Sequence, residues 1–578
     1  MRLRGKHSKV DEPVAVPRTD EDDERLGRIL VAAGRVQPYQ IDAVRDQGGG
    51  SLAARLIASG AITDDALART LAEHHEVPLA DFRTTAPEQD ALSLLTRDQA
   101  VTLQALPVAV DEDAVTVAVL DPAPERLAAI VAVLERKVRP IVATERDLER
   151  GLATSYRATQ EVGGQIQAFE ARDVLRREAS ELESITANEE APVVRVVQSI
   201  ITQALRDRAS DIHVEPTGER VRVRYRIDGA LTEVLDLPSS IGPAIVSRVK
   251  IMGDMNIVER RRPQDGQISM GVDGREVDIR VSTTAVVGGE KIVMRVLDKS
   301  RPLFKLEQLG MPVDTARRYS QLIHSPFGMV ICAGPTGGGK TTTLYASLGE
   351  LNSPEKNLMT IEDPVEYTFD SINQIQINEQ AGITFAGGLK SILRQDPDVI
   401  LVGEIRDVDT ARIAVQSALT GHFVLSSLHA TEAVSALYRL LDMGIEAFLI
   451  ASSVTAVVAQ RLVRRSCTSC LEPYQPSPDE LAFLQQFGGQ EPVGGFQHGT
   501  GCHFCAHTGY LERIGVYEML VVTDEVRELI VDRAQHDQMR KLARSQGMRT
   551  LQEQAAQLVT HGTTTAAEVM RSIYVAGV

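Results

Sequence analysis

The densest chemistry in the chain lies in eight consecutive residues, Gly334, Pro335, Thr336, Gly337, Gly338, Gly339, Lys340 and Thr341, followed by Thr342. Their spacing is G-x-x-x-x-G-K-[ST]. Three glycines in a row let the backbone curl until its amide hydrogens converge on an anion, and a helix N-terminus just beyond adds positive dipole. Lys340 supplies a mobile cation and Thr341 a hydroxyl for a divalent ion. This is the Walker A arrangement, which holds the phosphates of ATP with Mg²⁺. It implies an ATPase.

Two acidic sites accompany the loop. The apolar run Asp398–Val402 is followed by Gly403 and Glu404, where a Walker B carboxylate belongs. Another apolar run ends in Glu362, Asp363 and Glu366. Together they offer metal coordination and a base for activating water. Farther on, CTSC (Cys467, Cys470) and CHFC (Cys502, Cys505) stand 31 residues apart. Each CxxC turn aims two thiolates at one centre, and two turns complete the tetrahedral shell of Zn²⁺. Redox dithiols are disfavoured, because neither pair opens a βαβ unit. His503 and His507 are not needed as ligands once four thiolates fill the shell, and Cys332 reads as core packing.

The elements that must position these residues are also legible. GMVICA, LMTIE, DVILVG and HFVLSS are continuous apolar strands, as in a parallel sheet buried on both faces. The loop lies between the strand 328–333 and a helix expected over 341–350. Upstream, a helix is expected at 193–208 and another at 243–255. Strands are expected at DIHVEP, RVRVRYRID, GQISMGV, REVDIRVST and KIVMRVLD, which make a small α+β sheet domain. Near the N-terminus, RLGRILVAAGRVQPYQID is echoed by SLAARLIASGAITDDALA at an offset of 26 residues, each unit reading helix, glycine turn, helix. Strand-like ALPVAVDEDAVTVAVLDP and a helix at 125–135 follow. The domains are therefore expected as a disordered tail (1–23), a helical and α/β N-terminal domain (24–150), a helical linker (151–190), the sheet domain (191–300) and a RecA-like domain (301–578). The last carries a zinc module at about 463–517 and a helical tail.

Composition narrows the partners. With 578 residues, 43% of them apolar and none of them Trp, the chain builds aliphatic cores in several domains. A net charge of −17 argues against a chain that wraps nucleic acid. The first 23 residues are charged and lack the apolar stretch of a signal peptide. The longest apolar run, Phe448–Ala459, is interrupted by Ser452, Ser453 and Thr455 and falls short of the roughly 20 residues a span requires. A cytoplasmic protein that meets the membrane only peripherally is expected.

GPTGGGKTTTLYASL, TIEDPVEY, LRQDPDVILVGEIRD and TGHFVLSSLHATEAVSALYRLLDMG occur in order. They closely resemble the Walker A, Asp box, Walker B and His box of the type II secretion and type IV pilus assembly ATPases (GspE/PilB type). RASDIHVEP, RVRYRIDG, RRPQDGQ and VDIRVST upstream, and the two CxxC pairs downstream, extend the match over about 191–517. The resemblance implies a homo-hexamer with ATP held between the RecA-like domain and a preceding PAS-like sheet domain. It implies that Glu366 is the general base and Glu404 the Walker B glutamate. His422 and His429 would sense the γ-phosphate, and Arg208, Arg226 and Arg280 would reach the phosphates as arginine fingers. The partners it implies are an inner-membrane platform protein and its cytoplasmic adaptor, at the inner face of the cytoplasmic membrane. Relatives with the tetracysteine motif drive export or extension rather than retraction.

Arg25–Gly27, Gly34 and Gln47 resemble the first half of the cyclic di-GMP-binding domain found on some of these ATPases. The second half departs from it, with Ser51-Leu52-Ala53 in place of RLG and His74 in place of Gln. A helical docking module is the alternative for this domain. For the whole chain the alternatives are a DNA-uptake ATPase of the same family, a nucleic-acid motor and a nucleotide-gated scaffold without turnover. Charge counts against the nucleic-acid motor, and the intact Lys340, Thr341, Glu366 and Glu404 count against the scaffold.

Overall fold

The computed structural model describes residues 20–45, 51–82, 86–111, 113–157, 162, 164–169, 192–298 and 304–573. Gln47, most of the expected tail and about two thirds of the expected linker lie outside these residues. The chain divides into two compact units. The first runs to Arg208 and takes in Thr500–Thr508; the second comprises Ala209–Gly499 and Gly509–Val578.

In the first unit the repeat is real. The helices Asp20–Ala32 and Pro38–Arg45 are matched by Leu52–Ala58 and Asp64–His75. The equivalent Leu30 and Leu56 are both fully buried in one core, and the equivalent Gly34 and Gly60 both turn the chain with left-handed backbone. The first helix starts at Asp20, so the tail expected to be disordered through residue 23 ends in an ordered turn. Strands β1 (Ala105–Val110), β2 (Ala114–Val119) and β3 (Lys137–Val142) form a small sheet, with β2 antiparallel to β1 and parallel to β3.

The second unit opens with an antiparallel sheet of β4 (Asp211–Thr217), β5 (Arg220–Ile227), β6 (Ala230–Pro238), β7 (Gln264–Val272), β8 (Arg275–Val286) and β9 (Gly289–Asp298). The spatial order is β6-β5-β4-β9-β8-β7. Strand β6 was not anticipated: ALTEVLDLP lacks clean alternation, and its pairing with β5 across the Asp228–Gly229 turn decides it. The helix expected over 243–255 runs Gly242–Met252 and ends at Gly253.

The larger sheet contains β10 (Gly328–Ala333), β11 (Leu358–Glu362), β12 (Asn373–Gln376), β13 (Val399–Val402), β14 (Phe423–Leu428) and β15 (Val454–Ser466), all parallel. Strand β18 (Tyr510–Val521) joins antiparallel at the edge, giving the order β12-β11-β13-β14-β10-β15-β18. Two short strands, β16 (Leu471–Pro473) and β17 (Gln497–Gly499), pair beside the cysteines. Every residue of β10 is buried. Met329, Ile331 and Ala333 enter one core, while Val330 and Cys332 enter the other. That alternation is why β10 reads as unbroken apolar sequence: both faces are covered. The apolar run Phe448–Ala459 is split, with the helix Ala447–Ser453 giving way to β15 at Val454. Four helices between Asp524 and Ser572 close the chain, as expected.

Candidate functional site

In a parallel sheet the loops after the strands gather at one edge, where ligands bind. Strand register shows which predicted residues reach that edge. Ala333 lies opposite Leu428, and Val402 opposite Ser426 and Ile361. The glycine loop after β10, Glu404 after β13, Glu366 after β11 and His429 after β14 therefore share the carboxyl edge. His422 does not. It precedes β14, next to Gly328 at the opposite end of the strands, and its Nδ1 lies 3.0 Å from the Ser417 carbonyl. The sequence match could not reveal this, because the His box spans the whole length of β14.

The loop needs its glycines. Gly339 sits at φ +87, and a Cβ on Gly334 would fall 2.7 Å from the backbone oxygen of Gln460 on β15. Pro335, Thr336 and Gly337 are exposed, while Lys340 and Thr341 are half-buried at the start of the helix Lys340–Leu351. The Lys340 ammonium donates to the carbonyls of Gly334 (2.9 Å) and Pro335 (3.0 Å). It lies across the loop where a β- or γ-phosphate would replace those acceptors. Burial lowers its pKa, opposed by the charge of Glu404.

The acids differ in how completely they are engaged. Glu362 is 3% exposed, and its carboxylate is saturated by the hydroxyl of Tyr345, by Thr360 Oγ1 at 2.6 Å and by Gln374 Nε2 at 3.2 Å. It braces the site. The same Tyr345 hydroxyl accepts from the Glu366 amide at 3.1 Å. Glu366 is half-buried, and its pKa is raised by burial and by the charge of Glu362, against the pull of Arg280 and Arg295. A carboxyl held toward neutrality in this way is a competent general base. Glu404 pairs with Arg406, and His429 Nε2 stands 3.5 Å from its other oxygen. Asp363 lies 3.4 Å from the same Arg406.

The antiparallel sheet contributes a row of charge. Across five strands the register aligns Arg226, Asp211, Arg295, Arg280 and Gln267. Asp211 is 7% exposed and holds Arg295 at 3.1 Å and Arg226 at 3.6 Å. Of the predicted arginines, Arg226 and Arg280 belong to this row. Arg208 instead lies in the first unit, in a left-handed turn beside Asp207. Sequence reasoning missed Arg295, whose signal was a single charge inside KIVMRVLD, and Arg406, two residues past Glu404.

The sulfurs of Cys467, Cys470, Cys502 and Cys505 all lie within 4.8 Å of one another, and those of Cys502 and Cys505 are 3.8 Å apart. That spacing suits a tetrahedral ion with metal–sulfur bonds of about 2.3 Å, so the donor set fits zinc. In the repeat, Arg25 is held by Asp121 at 2.7 Å and by Asp22 at 3.3 Å. Its counterpart Ser51 caps the helix Leu52–Ala58, and His74 is exposed. The two halves therefore differ at both positions, although the second half carries a guanidinium of its own, Arg55, which meets Asp23 of the first half at 3.0 Å.

A loop of Walker A spacing at the carboxyl edge of a RecA-type parallel sheet, with acids after β11 and β13 of the same sheet, defines a P-loop ATPase. Residues 186–571 match the family described as type II/IV secretion system protein, and 75–162 match the MshEN domain. The chain belongs to the type II/IV secretion ATPase family. It is 44% identical over 429 residues to the type II secretion system protein HxcR of Pseudomonas aeruginosa, covering 74% of this chain and 87% of that one. It is 37% identical to the type IV pilus assembly ATPase PilB of Myxococcus xanthus, covering 94% and 98%. Among solved structures, the Legionella pneumophila ATPase DotB is similar at 22% identity and TM-score 0.48, over 64% of this chain and 93% of that one. No helix among the described residues is long and apolar enough to cross a membrane.

Proposed function

We propose that this chain is a hexameric motor in the cytoplasm, held at the inner face of the cytoplasmic membrane. It hydrolyses ATP to drive assembly of a type IV pilus through an inner-membrane platform protein and its adaptor. The observation that carries the reading is the shared carboxyl edge: the Lys340 loop, Glu404 and Glu366 stand together, and the charges of Arg280 and Arg295 act on Glu366 from the antiparallel sheet. The loop amides and Lys340 would grip the phosphates, and Glu366 would take the proton of the attacking water. Thr341 and Glu404 would hold Mg²⁺, which neutralises charge developing on the phosphates when bound. The arginine row would close on the triphosphate and release it after cleavage, so that the two sheets rock against each other. Four thiolates would hold a structural zinc.

The end-to-end span shared with the pilus assembly ATPase supports pilus extension. A second reading, type II export, is supported by the higher identity to HxcR over a shorter span. The half-complete repeat supports a docking role for the N-terminal domain over cyclic di-GMP sensing, and calorimetry with the dinucleotide checks this. The decisive test measures phosphate release by the full chain with and without the cytoplasmic part of each candidate platform protein. Stimulation by a pilus platform is expected. Stimulation by a secretion platform alone would overturn the first reading, and no turnover at all would overturn both.

A further inference from the structure

Gln460 is a polar residue inside the apolar run VTAVVAQRLV, only 1% exposed, on the strand next to β10. Nothing in its sequence context marks it as chemical. The structure sets it directly beneath the glycine loop. Its Nε2 donates to the Gly338 carbonyl at 2.8 Å. Its backbone oxygen lies 2.7 Å from the place of a Cβ on Gly334 and 3.3 Å from that on Gly338. A Cβ on Gly339 would meet Nε2 at 2.9 Å. The neighbouring Arg461 anchors the same stretch, donating to the Gln460 carbonyl at 3.3 Å and to Thr431, two residues past His429, at 3.0 Å.

A trans peptide is planar, and its carbonyl and the following N–H point in opposite directions. Glycine imposes no preference of its own on that plane, since Gly339 is free to adopt either sign of φ. A donor buried beneath the loop and bound to the Gly338 carbonyl therefore turns the Gly339 amide hydrogen away from the sheet, toward the mouth of the loop. We infer that Gln460 is a positioning residue for nucleotide binding, fixing the Gly338–Gly339 peptide so that its amide faces the phosphates before they arrive. The inference rests on the loop Gly334–Thr341 being the nucleotide cradle. Pre-setting the amide removes an ordering cost from binding, so its loss weakens affinity instead of erasing the site.

The test titrates ADP with Mg²⁺ into the full chain and its variants. Gln460→Met keeps length and volume but cannot donate. Gln460→Glu keeps shape but sets an acceptor against the carbonyl. One hydrogen bond corresponds to about three- to tenfold in affinity; the Met variant should lose that much, and the Glu variant more at pH above the burial-raised pKa of a carboxyl at that position. The signature that a purely structural role lacks is rescue by acid. A protonated carboxyl donates again, so the deficit of the Glu variant relative to the native chain should shrink as pH falls, whereas that of the Met variant stays constant. KM for ATP should rise with little change in kcat. If the Met variant does not fold, the pH course of the Glu variant decides alone. Affinities within twofold of native for both variants, or a Glu deficit independent of pH, would overturn the inference. Lys340→Ala is the control: if it binds ADP as the native chain does, the cradle assignment has failed, whereas lost binding there with unaffected Gln460 variants sinks only the role of Gln460.

Discussion

Replacing Glu404 by Gln separates folding from chemistry, because the two energies involved differ in size. The side chain is 18% exposed, and its partners Arg406 and His429 are 58% and 54% exposed. Solvent-screened pairs of this kind are worth about 0–1 kcal/mol each. The amide still accepts from one partner, so the variant should lose no more than about 1 kcal/mol of stability and should fold. The chemical loss is larger. Glu404 would act through the Mg²⁺ it holds, and losing preorganised electrostatic stabilisation of that kind costs about 2.7–4 kcal/mol, or about 100- to 1000-fold in turnover. A second consequence follows at Lys340: without the charge of Glu404, burial acts on its pKa with less opposition, and the ammonium deprotonates at lower pH than in the native chain. Phosphate release at saturating ATP, an ADP titration and a thermal melt on the same preparation measure all three. Turnover within tenfold of native, with Lys340→Ala inactive in parallel, would refute the assignment of Glu404. Loss of ADP binding together with turnover would make its role one of shape.

Glu366→Gln should retain nucleotide binding and lose about 100- to 10,000-fold in turnover. Because burial and Glu362 raise the Glu366 pKa, native activity should fall as pH drops through that raised value. Arg280→Ala or Arg295→Ala removes a lowering influence and should move the acid limb to higher pH, read from pH–rate profiles. Lys250, 1% exposed, donates to Glu290 at 2.5 Å and to the Glu259 carbonyl at 2.7 Å. Lys250→Met should destabilise the antiparallel sheet by about 3–5 kcal/mol, and adding Glu290→Met should restore most of it, as followed by hydrogen exchange. Chelation, or Cys470→Ser, should loosen residues 463–517, since metal affinity there is folding energy. Metal analysis of the intact chain should find zinc, and finding none rejects the site.

The sequence by itself determined what depends on local order. The glycine loop, its flanking strand and helix, and the CxxC pairs are set by residue type at fixed spacing, and the apolar strands of the large sheet are unbroken because both their faces are covered. The ordered motifs likewise carried the resemblance to the family. Tertiary structure decided which of the candidate side chains meet. Strand direction sent His429 to the carboxyl edge and His422 to the other, although one motif holds both. Register aligned Arg226, Asp211, Arg295 and Arg280 from four strands, a row with no counterpart in sequence spacing. Buried hydrogen bonds turned Glu362 into a brace and left Glu366 the freer acid. The parallel pairing of β10 with β15 carried Gln460 beneath Gly338 across 122 residues of chain. Contacts of that kind follow from which strands pair and in what register, a property of the whole sheet that no local run of residues specifies.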